Sequence, residues 1–134
     1  MDSEIRISLN EKENKDITEI RVDGVIDTVT SSELEQVFNS LMNRQRYKII
    51  VDLSGVDYVS SAGWGIFISK IKEARNSKGD IKLVNLSEDV YEIYELLEFE
   101  NVLKTFDSLE YARVDFGAGS PNLNGKKKAK NKPR

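Results

Sequence analysis

Two adjacent hydroxyl side chains, Ser60 and Ser61, stand where a helical pattern follows a buried strand. The first turn of a helix leaves backbone N–H groups without intrahelical acceptors, and the helix dipole is positive at that end. One serine is enough to cap these groups, which leaves the second facing solvent. A phosphate on that second serine would meet backbone donors. The pair therefore predicts either simple capping or a phosphorylation site.

The residue types of the chain exclude most catalytic alternatives. The absence of histidine and cysteine removes the commonest general base, thiol catalysis, disulfides and cysteine-based metal sites. A nucleophilic Ser61 would lack a base, and Val59 stands where the nucleophile-elbow motif needs glycine. Gly63-x-Gly65 lacks the third glycine and the lysine of phosphate-binding loops. Because Asp52 and Asp57 are interpreted as strand-end and turn acids, we predict no catalytic residue, metal site or cofactor.

The elements before this junction are read from the spacing of apolar residues. Alternating segments at Glu4–Leu9 and Ile17–Val25 predict a hairpin. Thr30, followed by two serines and an acid, predicts a helix capped by a hydroxyl. Ile49–Leu53 is a continuous apolar run, typical of a strand buried on both faces, and Ser54-Gly55 is predicted to end it.

After the junction, helical and strand patterns alternate. Ser87 caps a third helical pattern, Ile81–Asn85 predicts a strand, and Val102–Phe106 predicts another strand or a connector. Ser108–Val114 predicts a last helical turn or two. The predicted buried faces of the three main helices are Leu34, Val37, Phe38, Leu41 and Met42; Trp64, Phe67, Ile68, Ile71 and Ala74; and Val90, Ile93, Tyr94 and Leu97.

The element order β–β–α–β–α–β–α predicts an α/β fold with parallel pairing from the third strand onward. Binding sites in such sheets favour the carboxyl ends of the strands. Asp27 follows the second predicted strand and Ser61 follows the third. If those two strands are neighbours, both residues lie on the same rim of the sheet.

Charge is distributed unevenly along the 134 residues, whose net charge is −3. Residues 117–134 contain six basic and no acidic side chains, so the preceding 116 residues carry −9. An acidic body is a poor surface for nucleic acid. The composition predicts one domain at 1–116 and a disordered basic tail at 117–134. No apolar run reaches the ~20 residues that span a bilayer, and the N-terminus lacks a secretion signal, so a cytoplasmic location is expected.

The segment from Asp52 to Gly65 resembles the signature of the STAS domain, which anti-sigma factor antagonists share with the cytoplasmic tails of sulphate transporters. The resemblance covers roughly residues 4–112. It implies a STAS-like single domain with a mixed β-sheet of four to five strands and helices packed mainly on one face. It places the family's phosphorylated serine on Ser61, with Ser60 as the alternative, and the aspartate of its Gly-x-x-Asp motif on Asp27.

Two residues depart from the family pattern. Ser60 stands where the family has aspartate, which removes one charge beside the phosphoacceptor and adds a second hydroxyl. Trp64 stands where the family has leucine. The sequence leaves open whether this tryptophan completes the core or stands exposed as an anchor for a partner.

The resemblance implies a non-enzymatic switch. The unphosphorylated form would bind an anti-sigma factor that is also a serine protein kinase, so that a sigma factor is released. Phosphorylation of Ser61 would end this binding, and a PP2C-type phosphatase would restore it. The residues expected to contact the partner are Asp27, Ser60, Ser61, Ala62, Gly63 and Trp64.

The expected protein is a monomer or weak dimer that binds no nucleic acid and does not insert into membranes. Two alternatives stay open at this stage. One is a STAS scaffold or partner-switching module that regulates a phosphatase, a cyclase or another signalling pathway. The other is a small-ligand-binding domain that uses the rim near Asp27.

Overall fold

A five-stranded sheet in the order β1-β2-β3-β4-β5 forms the centre of the computed structural model, which describes residues 4–11 and 16–117. The strands are β1 (Ile5–Asn10), β2 (Ile17–Ile26), β3 (Lys48–Val59), β4 (Asp80–Val84) and β5 (Lys104–Phe106). The helices are α1 (Ser31–Asn43), α2 (Ser61–Asn76), α3 (Glu88–Leu96) and α4 (Leu109–Asp115), with a 3-10 turn at Phe99–Asn101. β1 pairs antiparallel with β2, and all other neighbouring strands are parallel. The predicted α/β class with a mixed sheet is confirmed.

The helices α1, α2 and α3 pack on one face of the sheet, called the front face below, as predicted. Successive side chains of β3 point to opposite faces of the sheet. Ile49 and Val51 belong to the front core, and Ile50 belongs to a separate cluster behind the sheet. α4 covers that back face. Of the predicted basic tail only Gly117 is described, and residues 118–134 lie outside the described residues.

β3 is longer than the sequence pattern predicts. The expectation that Ser54-Gly55 ends this strand is wrong, since β3 continues to Val59 and pairs with β2 alone beyond Asp52. Two register shifts, typical of β-bulges, accommodate the extra length. A Cβ on Gly55 would lie 2.0 Å from the Asp23 Oδ1 atom. Gly55 therefore permits the close approach of β2 and β3 and does not end β3.

The predicted buried faces of α1 and α2 are confirmed, with Val37 and Ile68 half-buried. The predicted face of α3 is partly wrong. Ile93 and Leu97 are 41% and 47% exposed, whereas Tyr91 is buried. The residues from 88 to 97 carry more large apolar side chains than one helix face can bury, so packing leaves Ile93, Leu96 and Leu97 at the surface.

None of the helices in the described ranges is long and apolar enough to cross a membrane. The same residues contain no group of three or more acidic side chains placed to hold a metal ion.

Candidate functional site

The carboxyl ends of β2 and β3 meet at one rim of the sheet. Ile26 pairs with Val59 in the last rung of the ladder, and the Ser60 N–H donates to the Ile26 carbonyl at 2.8 Å. The loop that contains Asp27 and the start of α2 therefore adjoin each other. The predicted shared rim for Asp27 and Ser61 is confirmed.

The two serines at the start of α2 occupy different positions. Ser60 is the N-cap with an extended backbone, and its Oγ accepts from the Gly63 N–H at 3.2 Å. Ser61 is the first helical residue and is exposed. The first turn of α2 contains no acidic residue. Capping thus falls to Ser60, as predicted, and the Ser61 hydroxyl stands at the positive end of the helix dipole.

The glycines of this turn have opposite environments. A Cβ on Gly63 would lie 2.6 Å from Ile26 Cγ2 and 2.8 Å from Val59 Cγ1, so glycine allows α2 to start directly against both strand ends. A Cβ on Gly65 would meet no atom within 4 Å, and this residue is exposed. Among residues 4–11 and 16–117, no packing contact requires a glycine at position 65.

Asp27 organises the loop between β2 and α1. Its Oδ1 accepts from the backbone N–H groups of Val29 and Thr30, both at 2.9 Å. The Thr30 hydroxyl accepts from the Asp27 N–H at 2.9 Å and donates to the Val25 carbonyl at 2.6 Å. Thr30 is the N-cap of α1 but makes no side-chain capping bond, so the predicted hydroxyl cap is wrong. The Thr30 hydroxyl does not cap the helix because it is bonded to Asp27 and Val25. The turn before α1 is stabilised instead by the Asp27 carboxylate, which accepts from two of its N–H groups.

The other acids near the junction, Asp52 and Asp57, both lie in β3. Asp52 is 9% exposed, and its Oδ1 accepts from the Ser54 N–H at 3.0 Å and from the Asn85 side-chain amide at 3.2 Å. Asp57 is exposed near the end of β3. Asp52 lies within β3, at the point where its pairing with β4 ends, and Asp57 lies in the same strand, so their interpretation as strand-end and turn acids is wrong.

Comparison with known proteins supports one family. The sequence pattern of the STAS domain matches residues 8–112. The chain belongs to the STAS domain family. A curated relative, the anti-sigma-B factor antagonist of Listeria monocytogenes, is 24% identical over 100 residues, which cover 75% of this chain and 87% of that protein.

Two solved structures resemble the STAS domain described here. An anti-sigma factor antagonist from Mycobacterium paratuberculosis has a TM-score of 0.75 at 20% identity, covering 84% of this chain and 93% of the other. The Bacillus cell fate determinant SpoIIAA in its phosphorylated form has a TM-score of 0.65 at 16% identity, covering 84% and 99%. At these identities the likeness shows the fold.

Trp64 of this STAS domain is buried, with 3% of its surface exposed. Its ring centroid lies 6.0 Å from that of Phe67, 6.3 Å from that of Tyr94 and 5.3 Å from that of Phe99. The indole therefore joins α2 to α3 and to the 3-10 turn. Of the two placements that the sequence left open, the core placement is correct and the exposed anchor is wrong.

Tyr94 supports Trp64 from α3. Its hydroxyl donates to the Leu103 carbonyl at 2.5 Å. Burial raises the pKa of Tyr94 to about 12. The phenol is therefore neutral at physiological pH and belongs to the wall between α3 and β5.

A cavity of about 810 Å³ opens beside Ser61, between α2 and α3. Its lining includes Trp64, Lys72, Leu97 and Phe99. Sequence reasoning missed this cavity because it assigned Ile93 and Leu97 to the buried face of α3. The detectable signal was the surplus of large apolar residues in that short helix.

Proposed function

We propose that this STAS domain is an anti-sigma factor antagonist that switches partners through phosphorylation. The observation that carries this proposal is the exposed Ser61 at the first position of α2, next to a serine that already performs the capping. The names of the relatives support it, and so does the fact that the structure of SpoIIAA has been solved in a phosphorylated form. The protein acts in the cytoplasm by binding and not by catalysis. Its partners are an anti-sigma factor with serine kinase activity and a PP2C-type phosphatase.

A phosphate on Ser61 changes binding without unfolding the domain. It adds about −1.5 to −2 charges at neutral pH. The domain tolerates this charge because the first turn of α2 has no acid and its backbone N–H groups favour an anion. A partner surface packed over Ser61 would have to desolvate the phosphate and face its charge. A loss of about 3 kcal/mol lowers affinity more than a hundredfold.

The surface open to a partner differs from the residue set predicted from sequence. Ser61 is exposed and Asp27, Ser60 and Ala62 are half-buried, whereas Gly63 and Trp64 are buried. Gly63 and Trp64 therefore shape the site from beneath. Val29, in the Asp27 loop, is 70% exposed and adds an apolar contact on the same rim. We include Val29 in the proposed partner surface.

Affinity capture from the native cytoplasm tests the proposal. The unmodified protein and Ser61→Ala should both retain an ATPase of the histidine-kinase-like class, and Ser61→Asp should lose it. Ser40→Asp is the matched control, because Ser40 is an exposed serine near the carboxyl end of α1, away from this rim. Mass spectrometry after incubation with the captured kinase and ATP should find phosphate on Ser61. Phosphate on Ser60 or on neither serine would contradict the assignment, and capture of a cyclase or phosphatase regulator would favour the scaffold alternative.

A further inference from the structure

We propose that the cavity between α2 and α3 binds a small amphiphilic anion, a molecule with an apolar body and a carboxylate. The cavity volume of about 810 Å³ lies within the range of pockets that hold small ligands, about 300–1,000 Å³. This inference depends on the walls of the cavity and not on phosphorylation of Ser61.

The cavity walls present apolar surface that the domain does not bury. The buried Trp64 and the half-buried Phe99 form its floor, with their ring centroids 5.3 Å apart. Ile93, Leu97 and Tyr58 also line it and are 41%, 47% and 55% exposed. Apolar surface gathered in one concavity is typical of a binding site. An apolar ligand body would remove this surface from water, which favours binding.

The polar side chains of the cavity lie along one helix. Ser61, Ser69 and Lys72 of α2 belong to the lining, in which the described residues include no acid. Among the described residues, Lys72 makes no ion pair. An ammonium group beside an apolar concavity favours a ligand with an anionic head group.

Trp64 provides the measurement, because it is the only tryptophan of the chain. The full chain is titrated with decanoate and, separately, with decanol, each below its aggregation limit, while tryptophan fluorescence is recorded. We expect a saturable change, with decanoate binding at least about fivefold more tightly than decanol because of Lys72. Lys72→Gln should abolish this preference. Circular dichroism of each sample confirms that the domain stays folded.

Neighbouring leucines supply a matched control. Leu97 lines the cavity, whereas Leu96 is 73% exposed and lies outside its lining. Leu97→Gln should weaken decanoate binding about tenfold, and Leu96→Gln should leave it unchanged. Gly65→Leu should block the cavity without a clash, since Gly65 lines it and a Cβ there meets no atom within 4 Å.

Three results of the titrations would overturn the proposal. They are the absence of a saturable signal, equal losses in the two leucine variants, or undiminished binding by Gly65→Leu. Binding of an apolar peptide in place of decanoate would also overturn it and would assign the cavity to a protein partner. Because the titration uses this protein alone, its failure leaves the proposed kinase partnership untouched.

Discussion

The front and back faces of the sheet are closed by different interactions. On the front, α1, α2 and α3 cover a continuous apolar core that includes the fully buried Phe38 and Phe67, in edge-to-face contact at 6.1 Å. On the back, the short helix α4 covers a small apolar cluster formed by Ile17, Ile50, Val84, Phe106 and Ala112.

Charged side chains complete the back face. Arg113 of α4 pairs with the nearly buried Glu19. Lys82 is 3% exposed, and its Nζ lies 2.7 Å from Asp115 Oδ2 and 4.3 Å from the ring centroid of Phe116. The helix carrying the candidate site rests mainly on apolar packing, with one buried cation, Lys70, bonded to Asn39 of α1. The last helix is held to a larger extent by ion pairs, which depend on protonation and orientation.

The largest expected effect is on the front face. Phe67→Ala should lower the free energy of unfolding by about 3–5 kcal/mol, because it leaves a cavity among Phe38, Trp64 and Ile71. Phe116→Ala on the back, where the ring is half-buried, should cost less than about 2 kcal/mol. Urea unfolding followed by circular dichroism measures both. Equal losses would break the proposed distinction between the faces.

Lys82→Met tests the back face directly. It removes a buried cation and leaves Asp115 and Asp80 without it, so we expect a loss of about 1–3 kcal/mol. Lys104→Met is the matched control, since Lys104 also contacts Asp115, at 3.3 Å, but its side chain is 53% exposed. The control should cost less than about 1 kcal/mol. A harmless Lys82→Met would show that the apolar cluster alone holds α4.

The pH dependence of unfolding sharpens the same point. Burial acts to raise the pKa of Asp115, but the hydrogen bond from Lys82 and the charges of Lys82 and Lys104 outweigh it and lower the pKa below its usual 3.8. A carboxyl whose pKa is lower in the folded state stabilises that state at any pH above its pKa in the unfolded state. This contribution is lost as the pH falls through the pKa of the folded state. Asp115→Asn should therefore flatten the loss of stability below about pH 4. Unfolding curves at stepwise lower pH, with identical slopes for both proteins, would argue against this role.

At the start of α2, the two serines should differ. Ser60→Ala should cost about 0.5–2 kcal/mol, because it removes the acceptor for the Gly63 N–H. Ser61→Ala should change stability by less than about 0.5 kcal/mol, as expected for an exposed side chain. Thermal unfolding of the pair checks this ordering. A greater loss for Ser61→Ala would mean that the capping assignment is reversed.

The smallest expected effect is a gain. Gly65→Ala should stabilise the domain by about 0.5–1 kcal/mol, since a helical glycine is unfavourable and a Cβ there meets open space. Gly63→Ala is the contrasting variant and should destabilise, because its Cβ would clash with Ile26 and Val59. If Gly65→Ala also weakens capture of the kinase partner, this glycine serves the interface and not the fold.

Much of the candidate site could be predicted from sequence, because it depends on neighbours along the chain. An N-cap bonds to a backbone group three residues later, so the division between Ser60 and Ser61 follows from their order at a helix start. Apolar spacing likewise located α1, α2 and most of the strands. The shared rim required only that β2 and β3 be neighbours.

The rest was decided by specific contacts of the folded chain, some between strands and some within a single turn. β3 continues past Gly55 because β2 lies beside it and absorbs the register shifts. The Thr30 hydroxyl is withdrawn from capping because Asp27 and Val25 hold it. Neither arrangement has a periodic signal, because each depends on which groups the folded chain brings within hydrogen-bonding distance.

The sequence by itself determined the element types, the α/β class and the serine pair at the start of α2. Only the tertiary structure decided that Trp64 is buried and that Ile93 and Leu97 border an open cavity. The physical reason is that a helical pattern specifies how many apolar side chains a helix carries. The area that a neighbouring helix and strand can cover sets which of them stay exposed.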